Sequence, residues 1–482
     1  SNDHAVYADA KLVKQDYQQY LVPELSDFDQ KIQNYYKTSG DNPEADAGYE
    51  VTLLRRNLIK NAGRYTLTAF ARESAENRKT LEWLYNNVDV LRRYTTGGKP
   101  SGSYLESLRV LSRLYHTHGD DLRNRYGDLY ERMMITLSLT HSTEVRFWIR
   151  DKGEMAGNPD SPNVSDPVRR YEVYKRLYLE NKLATTIFQT LEVEEMRYVM
   201  ATELGDEEIA WLNDYMKLKY PSKWPTAYAY PPVPYVSIGN HYWYDSNYAE
   251  ENQQQFIDKY HLNGDGYSIG FEKYAPHLWM IMYHGGVCWQ ISNTGQNMTA
   301  SQGIPSTTFG QPGHVAYANY EVRNGTPVWA LTNDVSGWTK TDYTGYTNTH
   351  TYHQVRQLNN WGASSGGYAS RYQGSYIVMS QTALNDFDSY EKSQEQVLLA
   401  NSYSADLERQ ETIYRQALTT QNINLDAWLG LVRNYLANDA KSEADYLDLA
   451  EEITDALELY PLPMYDLLRM IFPKVTSAGY NS

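Results

Sequence analysis

Apolar residues recur at three- and four-residue spacing up to about residue 220 and again after Asp386, but not in between. This change of period constrains the fold more than any other feature of the chain, because it separates amphipathic helix from everything else. Leu105, Leu108, Leu111 and Leu114 form one helical stripe, and Leu129, Met133, Met134 and Leu137 form another. Thr96-Gly97-Gly98 with Pro100, and Gly157-Asn158-Pro159 through Asp166-Pro167, interrupt the pattern as helix breakers do. Residues 1–220 are therefore predicted to be an N-terminal α-helical domain. Pro221, Pro225, Pro231, Pro232 and Pro234, interleaved with tyrosines, cannot lie inside a helix, and 221–234 reads as a linker. From 235 to 385 Gly, Thr, Asn and aromatic residues dominate, with alternating runs at Val315–Glu321 and Tyr376–Met379, which predicts strand and loop. The helical period returns over 386–482, with stripes at Ile413, Tyr414, Ala417 and Leu418 and at Trp428, Leu431, Val432 and Tyr435.

A chain of 482 residues exceeds the size of one growing core, which predicts two or three domains. The net charge of −16 argues against binding to a phosphate backbone, since that attraction needs clustered Lys and Arg. No stretch reaches the roughly 18 apolar residues of a membrane-span candidate, and no charged-then-apolar signal segment opens the chain. Ser1-Asn2 reads as a dipeptide ahead of a mature sequence, which fits a removed signal peptide. Together with a cysteine-poor, Tyr/Asn/Thr-rich style, it suggests secretion or display at a bacterial surface. The 45 tyrosines and 11 tryptophans have two readings: helix packing, or surfaces that stack on sugars or peptides.

Cys288 is the only cysteine, so no internal disulfide is available and its chemistry stands alone. It follows the apolar aromatic stretch Leu278–Tyr283 in Gly285-Gly286-Val287-Cys288-Trp289. Glycines permit a tight approach into a helix, and a helix N-terminus favours the thiolate, which is the nucleophilic form. A buried, inert thiol is the other reading. Downstream, Gln311-Pro312-Gly313-His314 delivers a histidine onto the first position of a strand, where a rigidly held general base would sit. Arg323-Asn324-Gly325-Thr326 is a strong hairpin signal between Val315–Val322 and Val328–Thr332. If Arg323 pairs with Thr326, His314 falls opposite Val335, with Asn333 its diagonal neighbour on the same face and Asp334 on the other. A bulge at Pro327, which cannot donate to the ladder, would exchange the two. Asn333 or Asp334 is thus the expected third member.

Gly-x-Cys-Trp, then Gly303-Ile304-Pro305, then a strand opened by His314, then Trp329 and an amide or acidic residue resembles the transglutaminase-like superfamily over roughly residues 235–345. The resemblance implies an α+β fold, with a papain/transglutaminase-like central domain whose cysteine-bearing helix packs on an antiparallel sheet. All-helical regions would flank it on both sides. It implies Cys288 as nucleophile, His314 as base and, four residues after Trp329, Asn333 where the family more often has Asp and the papain branch Asn. Trp289, Trp243 and Trp279 are the neighbouring or oxyanion candidates beside the Cys288 N–H. The implied chemistry is acyl transfer on protein, peptide or glycoprotein amides through a thioester, resolved by water (peptidase or amidase) or by an amine (transglutaminase), with no metal and no cofactor. Tyr414-x-x-Ala417-Leu418 with Asn424 and Ala427-Trp428 resembles a tetratricopeptide unit, and Ala456-Leu457, Pro461 and Leu467-Leu468 a degenerate second copy. These helices are expected to buttress the central domain.

Other signals are weaker. His261-x-Asn263-x-Asp265-Gly266 with Glu272 lacks the first acidic ligand of a calcium loop, and a glycine-rich turn accounts for it. His116, His118 and His141 have no metal-ligand spacing, whereas His241, His277 and His284 flank the proposed site in sequence and are alternative bases, although none begins a strand with a fitted neighbour. The alternative to an enzyme is a non-catalytic secreted or surface protein that binds glycan or peptide.

Overall fold

The computed structural model describes residues 23–39, 43, 46–145, 164–202, 204–219, 288–311, 314–323, 326–332, 386–403 and 405–476. The chain divides into two compact units, one formed by residues 1–143, 352–366 and 375–482, the other by 144–351 and 367–374.

In the first unit the N-terminal helices are α1 (Leu25–Ser39), α2 (Ala47–Ala62), α3 (Arg64–Glu73), α4 (Ala75–Asn86), α5 (Val88–Thr96), α6 (Tyr104–His118) and α7 (Gly127–Thr140). Their starts are written in the sequence. Ser74, Asn87 and Ser103 each turn a side-chain oxygen onto a backbone N–H of the first turn, replacing partners that a helix start lacks. Gly63 joins α2 to α3 without a loop. Its φ of +86° is open to glycine at no steric cost, and its N–H closes onto the Ile59 carbonyl. Leu53, Leu58, Phe70, Leu91, Leu111 and Met133 are among the fully buried side chains at the centre.

The C-terminal helices of the same unit are α12 (Phe387–Ala400), α13 (Leu407–Thr420), α14 (Leu425–Ala437), α15 (Glu443–Leu457) and α16 (Pro461–Ile471). The stripes read from sequence are the buried ones: Ile413, Tyr414, Ala417 and Leu418 on α13, and Trp428, Leu431, Val432 and Tyr435 on α14. Gly430 lets these two helices close up, since a Cβ there would stand 2.3 Å from the Tyr414 ring. Among the described residues α12 packs on α2, and α1 on the turn after α12. Buried Arg56 fastens this arrangement, donating Nη2 to the Asn401 carbonyl at 3.1 Å and pairing through Nε with Asp29.

The second unit holds α8 (Pro167–Leu179), α9 (Val193–Met200), α10 (Asp206–Lys219), α11 (Cys288–Ser301) and a sheet of β1 (Ser306–Gln311), β2 (His314–Arg323) and β3 (Thr326–Thr332), with a single turn at Thr185–Phe188. The sheet is antiparallel in the order β1-β2-β3, and α11 packs on β1 and β2. Pairing runs from Ser306 opposite Asn319 to Gln311 opposite His314, and from Tyr317 opposite Thr332 to Arg323 opposite Thr326. Pro327 pairs with Val322 without a bulge and, in an outer strand, leaves no inward ladder position unfilled.

The expected α+β fold with a papain/transglutaminase-like central domain is overturned. The described chain is mostly helical, and one small sheet is its only strand structure. The reason is proportion: of residues 235–385 those described form only α11 and three short strands, the flanking regions supply all the other helices, and α11, expected as a helix, keeps Thr294, Gly295 and Thr299 inside it. Burial there outweighs intrinsic propensity.

Among the described residues many tyrosines are buried in the two cores. Tyr94, Tyr130, Tyr171, Tyr174 and Tyr317 are among the largest fully buried side chains. No helix among the described residues is long and apolar enough to cross a membrane.

Candidate active site

Helix α11 reads Cys-Trp-Gln-Ile-Ser-Asn-Thr-Gly-Gln-Asn-Met-Thr-Ala-Ser, a poor helix by propensity, and the tertiary structure holds it. Ile291, Met298 and Ala300 are buried on it, and so are Ser292, Thr294 and Asn297. Gly295 sets the approach to the sheet, since a Cβ there would stand 2.4 Å from Cζ of the fully buried Tyr317 on β2. Ser306 at the start of β1 donates to the Gln296 carbonyl at 2.8 Å, so helix and strands lock at about the helix midpoint.

The far end of α11 is capped from several directions. Ile304 N–H bonds back to the Thr299 carbonyl and Gly303 N–H to that of Ala300, with Gly303 at φ +76°, which is a Schellman ending. A side chain at Gly303 would also meet Phe188, 2.9 Å away. The Tyr174 hydroxyl lies 3.2 Å from the Ala300 carbonyl and 3.1 Å from that of Val199. Burial pushes its pKa far above the usual phenol range, so the hydroxyl keeps the proton it donates. Asn213 Nδ2 donates to the carbonyls of Ser301 and Lys182, at 2.8 and 2.7 Å, and Ala184 N–H reaches the Gln302 carbonyl at 2.8 Å.

A second anchor lies one layer out. Thr202 donates to Asn297 Oδ1 at 2.7 Å, and the Thr202 carbonyl is one of three held by Arg170, together with those of Met200 and Leu204. Arg170 is wholly buried and pairs with Asp206 at 2.6 Å, which also accepts from Ser165 Oγ and Asp166 N–H. Charge and hydrogen bonds are satisfied together here, the condition under which a buried ion pair is tolerated.

These anchors fix where the chain places the predicted residues. Cys288 is the first residue of α11, Trp289 the second, and His314 the first of β2. The short link from Ser301 to Ser306 makes β1 run back along α11, so β2 runs parallel to the helix. Cys288 precedes Gly295 by seven residues, about 10 Å of helix. His314 precedes Tyr317 by three, about 10 Å of strand. Because Gly295 and Tyr317 touch, the backbone brings Cys288 and His314 to the same end and the same level of the helix–sheet unit. In pleat register, Val315 and Asn319 belong with Tyr317, whereas His314 belongs with Ala316 and Ala318. Asn333, Asp334, Trp243 and Trp279 lie outside the described residues, as do His241, His277, His284 and the segment from His261 to Glu272.

His116 and His141 have structural partners. His116 Nε2 is 2.8 Å from the Glu76 carbonyl and 3.2 Å from Thr80 Oγ1, and His141 Nδ1 is 2.9 Å from Thr140 Oγ1. No group of three His, Cys, Asp or Glu positioned for a metal occurs among the described residues. Sequence reasoning missed Arg170, Tyr174, Thr202 and Asn213. Nothing in their local pattern marks them, because their shared role is to hold a helix that lies about 90 to 130 residues further along the chain. No family model, no curated protein and no solved structure matches the chain.

Proposed function

We propose that the protein is a cysteine-dependent acyl-transfer enzyme acting on protein or peptide amides, with Cys288 as nucleophile and His314 as base. One observation carries this reading: Cys288 opens a helix and His314 opens a strand at the same end of one anchored helix–sheet unit. The first backbone N–H groups of a helix are unpaired and carry the positive end of its dipole, which favours a thiolate at that position. The thiolate adds to the amide carbonyl, the Cys288 N–H stabilises the oxyanion, and the imidazolium of His314 protonates the departing amine. Water or a second amine then releases the acyl group from the thioester. Asn333 and Asp334 follow directly after β3 and are the two candidates to orient His314.

The test is alkylation of Cys288 by iodoacetamide as a function of pH. In folded protein, reaction is expected to set in well below the free-thiol pKa of about 8.5 and to lose that low-pH limb in His314→Ala. A folded thiol that stays inert, or a profile that His314→Ala leaves unchanged, would remove the basis for the reading. Asn333→Ala and Asp334→Ala, measured in the same way, identify the third member as the variant that shifts the profile. Incubation with peptide and glycoprotein mixtures, scored by mass spectrometry for cleavage, deamidation and cross-links, then separates hydrolysis from transfer.

A further inference from the structure

In the first unit, a groove of about 580 Å³ runs between α1 and the segment that leads from α12 into α13. One wall is a polar face of α1, where Ser26, Gln30, Gln33 and Lys37 recur at helical spacing beside Asp29 and Tyr36. The apolar side of that helix is used elsewhere, through buried Phe28 and Ile32. The opposite wall carries Ser402, Tyr403, Asp406 and Arg409.

Asp29, Asp406 and Arg409 in the groove already have partners. Asp29 is paired with Arg56, and Asp406 caps α13 by accepting from Arg409 N–H at 3.0 Å. The Arg409 guanidinium lies 5.0 Å from the centre of the Tyr36 ring and hydrogen-bonds Tyr403. Tyr36 and Tyr403 meet edge to face at 6.3 Å, and both line the groove beside Arg409. Two cations, Lys37 and Arg409, face two carboxylates, Asp29 and Asp406, which gives no net charge to attract a phosphate or a nucleic acid. The lining offers no sheet edge for strand addition, and its one aliphatic residue is Ala405, so the anchors of peptide recognition are missing. What remains are the amides of Gln30 and Gln33, about one helical turn apart, each of which can donate and accept. Amides that match hydroxyl groups, in a groove also lined by amphipathic tyrosines, suit a sugar.

We propose that this groove binds a neutral oligosaccharide, seated on Tyr36 and Tyr403 and read through Gln30 and Gln33. The site is independent of the chemistry proposed for Cys288. The test is isothermal titration calorimetry of the full chain with neutral hexasaccharides of glucose, xylose, mannose and N-acetylglucosamine, and with a heparin hexasaccharide and a mixed-sequence peptide as charged and peptidic comparators. Saturable binding of at least one neutral sugar is expected, weakened about tenfold or more when Gln30→Ala and Gln33→Ala are combined. Both glutamines lie at the groove surface, and unchanged circular dichroism and Tm show that the double variant is folded. No binding by any neutral sugar, binding that survives the double variant, or binding of only heparin or peptide would overturn the proposal.

Discussion

At the scale of single residues, Gly295 has the clearest consequence. It is the contact that brings α11 against β2, and a methyl group there would overlap the Tyr317 ring. Gly295→Ala is expected to cost about 1–3 kcal/mol in urea unfolding as an overpacked core contact, despite the gain in helix propensity. Tyr317→Leu in the same chain should recover part of that loss by making room, whereas a purely local helix effect would leave it unrecovered. Cys288 has the opposite status. Its place at the head of α11 is fixed by the backbone, and its reactivity is the quantity the alkylation profile measures.

At the scale of elements, Arg170 and Asp206 hold the connection between α9 and α10 and, through Thr202, a buried position on α11. Arg170→Met removes the cation and leaves Asp206 buried with three carbonyls unpaired, a change expected to cost about 3–5 kcal/mol in denaturant unfolding. Adding Asp206→Leu should return part of this, since a missing pair costs less than half a pair. A second link shows its effect through pH. Burial alone would raise the Asp128 carboxyl, but Arg132 and Arg93 outweigh it and hold the pKa below the ordinary carboxylate value. A carboxyl whose folded pKa is depressed stabilises the fold above its unfolded pKa of about 3.9 and loses that contribution as pH falls through the folded value. Asp128→Asn should therefore flatten the stability profile below about pH 4 and leave its shape near neutrality unchanged, as thermal scans across pH would read.

At the scale of the whole molecule, one compact unit is assembled from both ends of the sequence and the other from its middle. Hydrogen exchange under increasing denaturant is expected to release residues 25–143 together with 386–476 in one step and 164–219 together with 288–332 in another. Release of 25–143 and 386–476 in separate steps would contradict the joint packing of α1, α2 and α12. By itself the sequence determined the local grammar. The stripes on α13 and α14, the serine and asparagine caps, the placement of Cys288 and His314 at element starts, and the Arg323–Thr326 register are all consequences of interactions within a few residues or of a two-residue turn. Only the tertiary structure decided that the described chain is mostly helical, that α12 rests on α2, and that α8 to α10 anchor the far end of the cysteine-bearing helix. Those outcomes rest on burial and on hydrogen bonds between residues some 90 to more than 300 positions apart, such as Arg56 with Asn401 and Thr202 with Asn297, and no local period or propensity encodes such pairings.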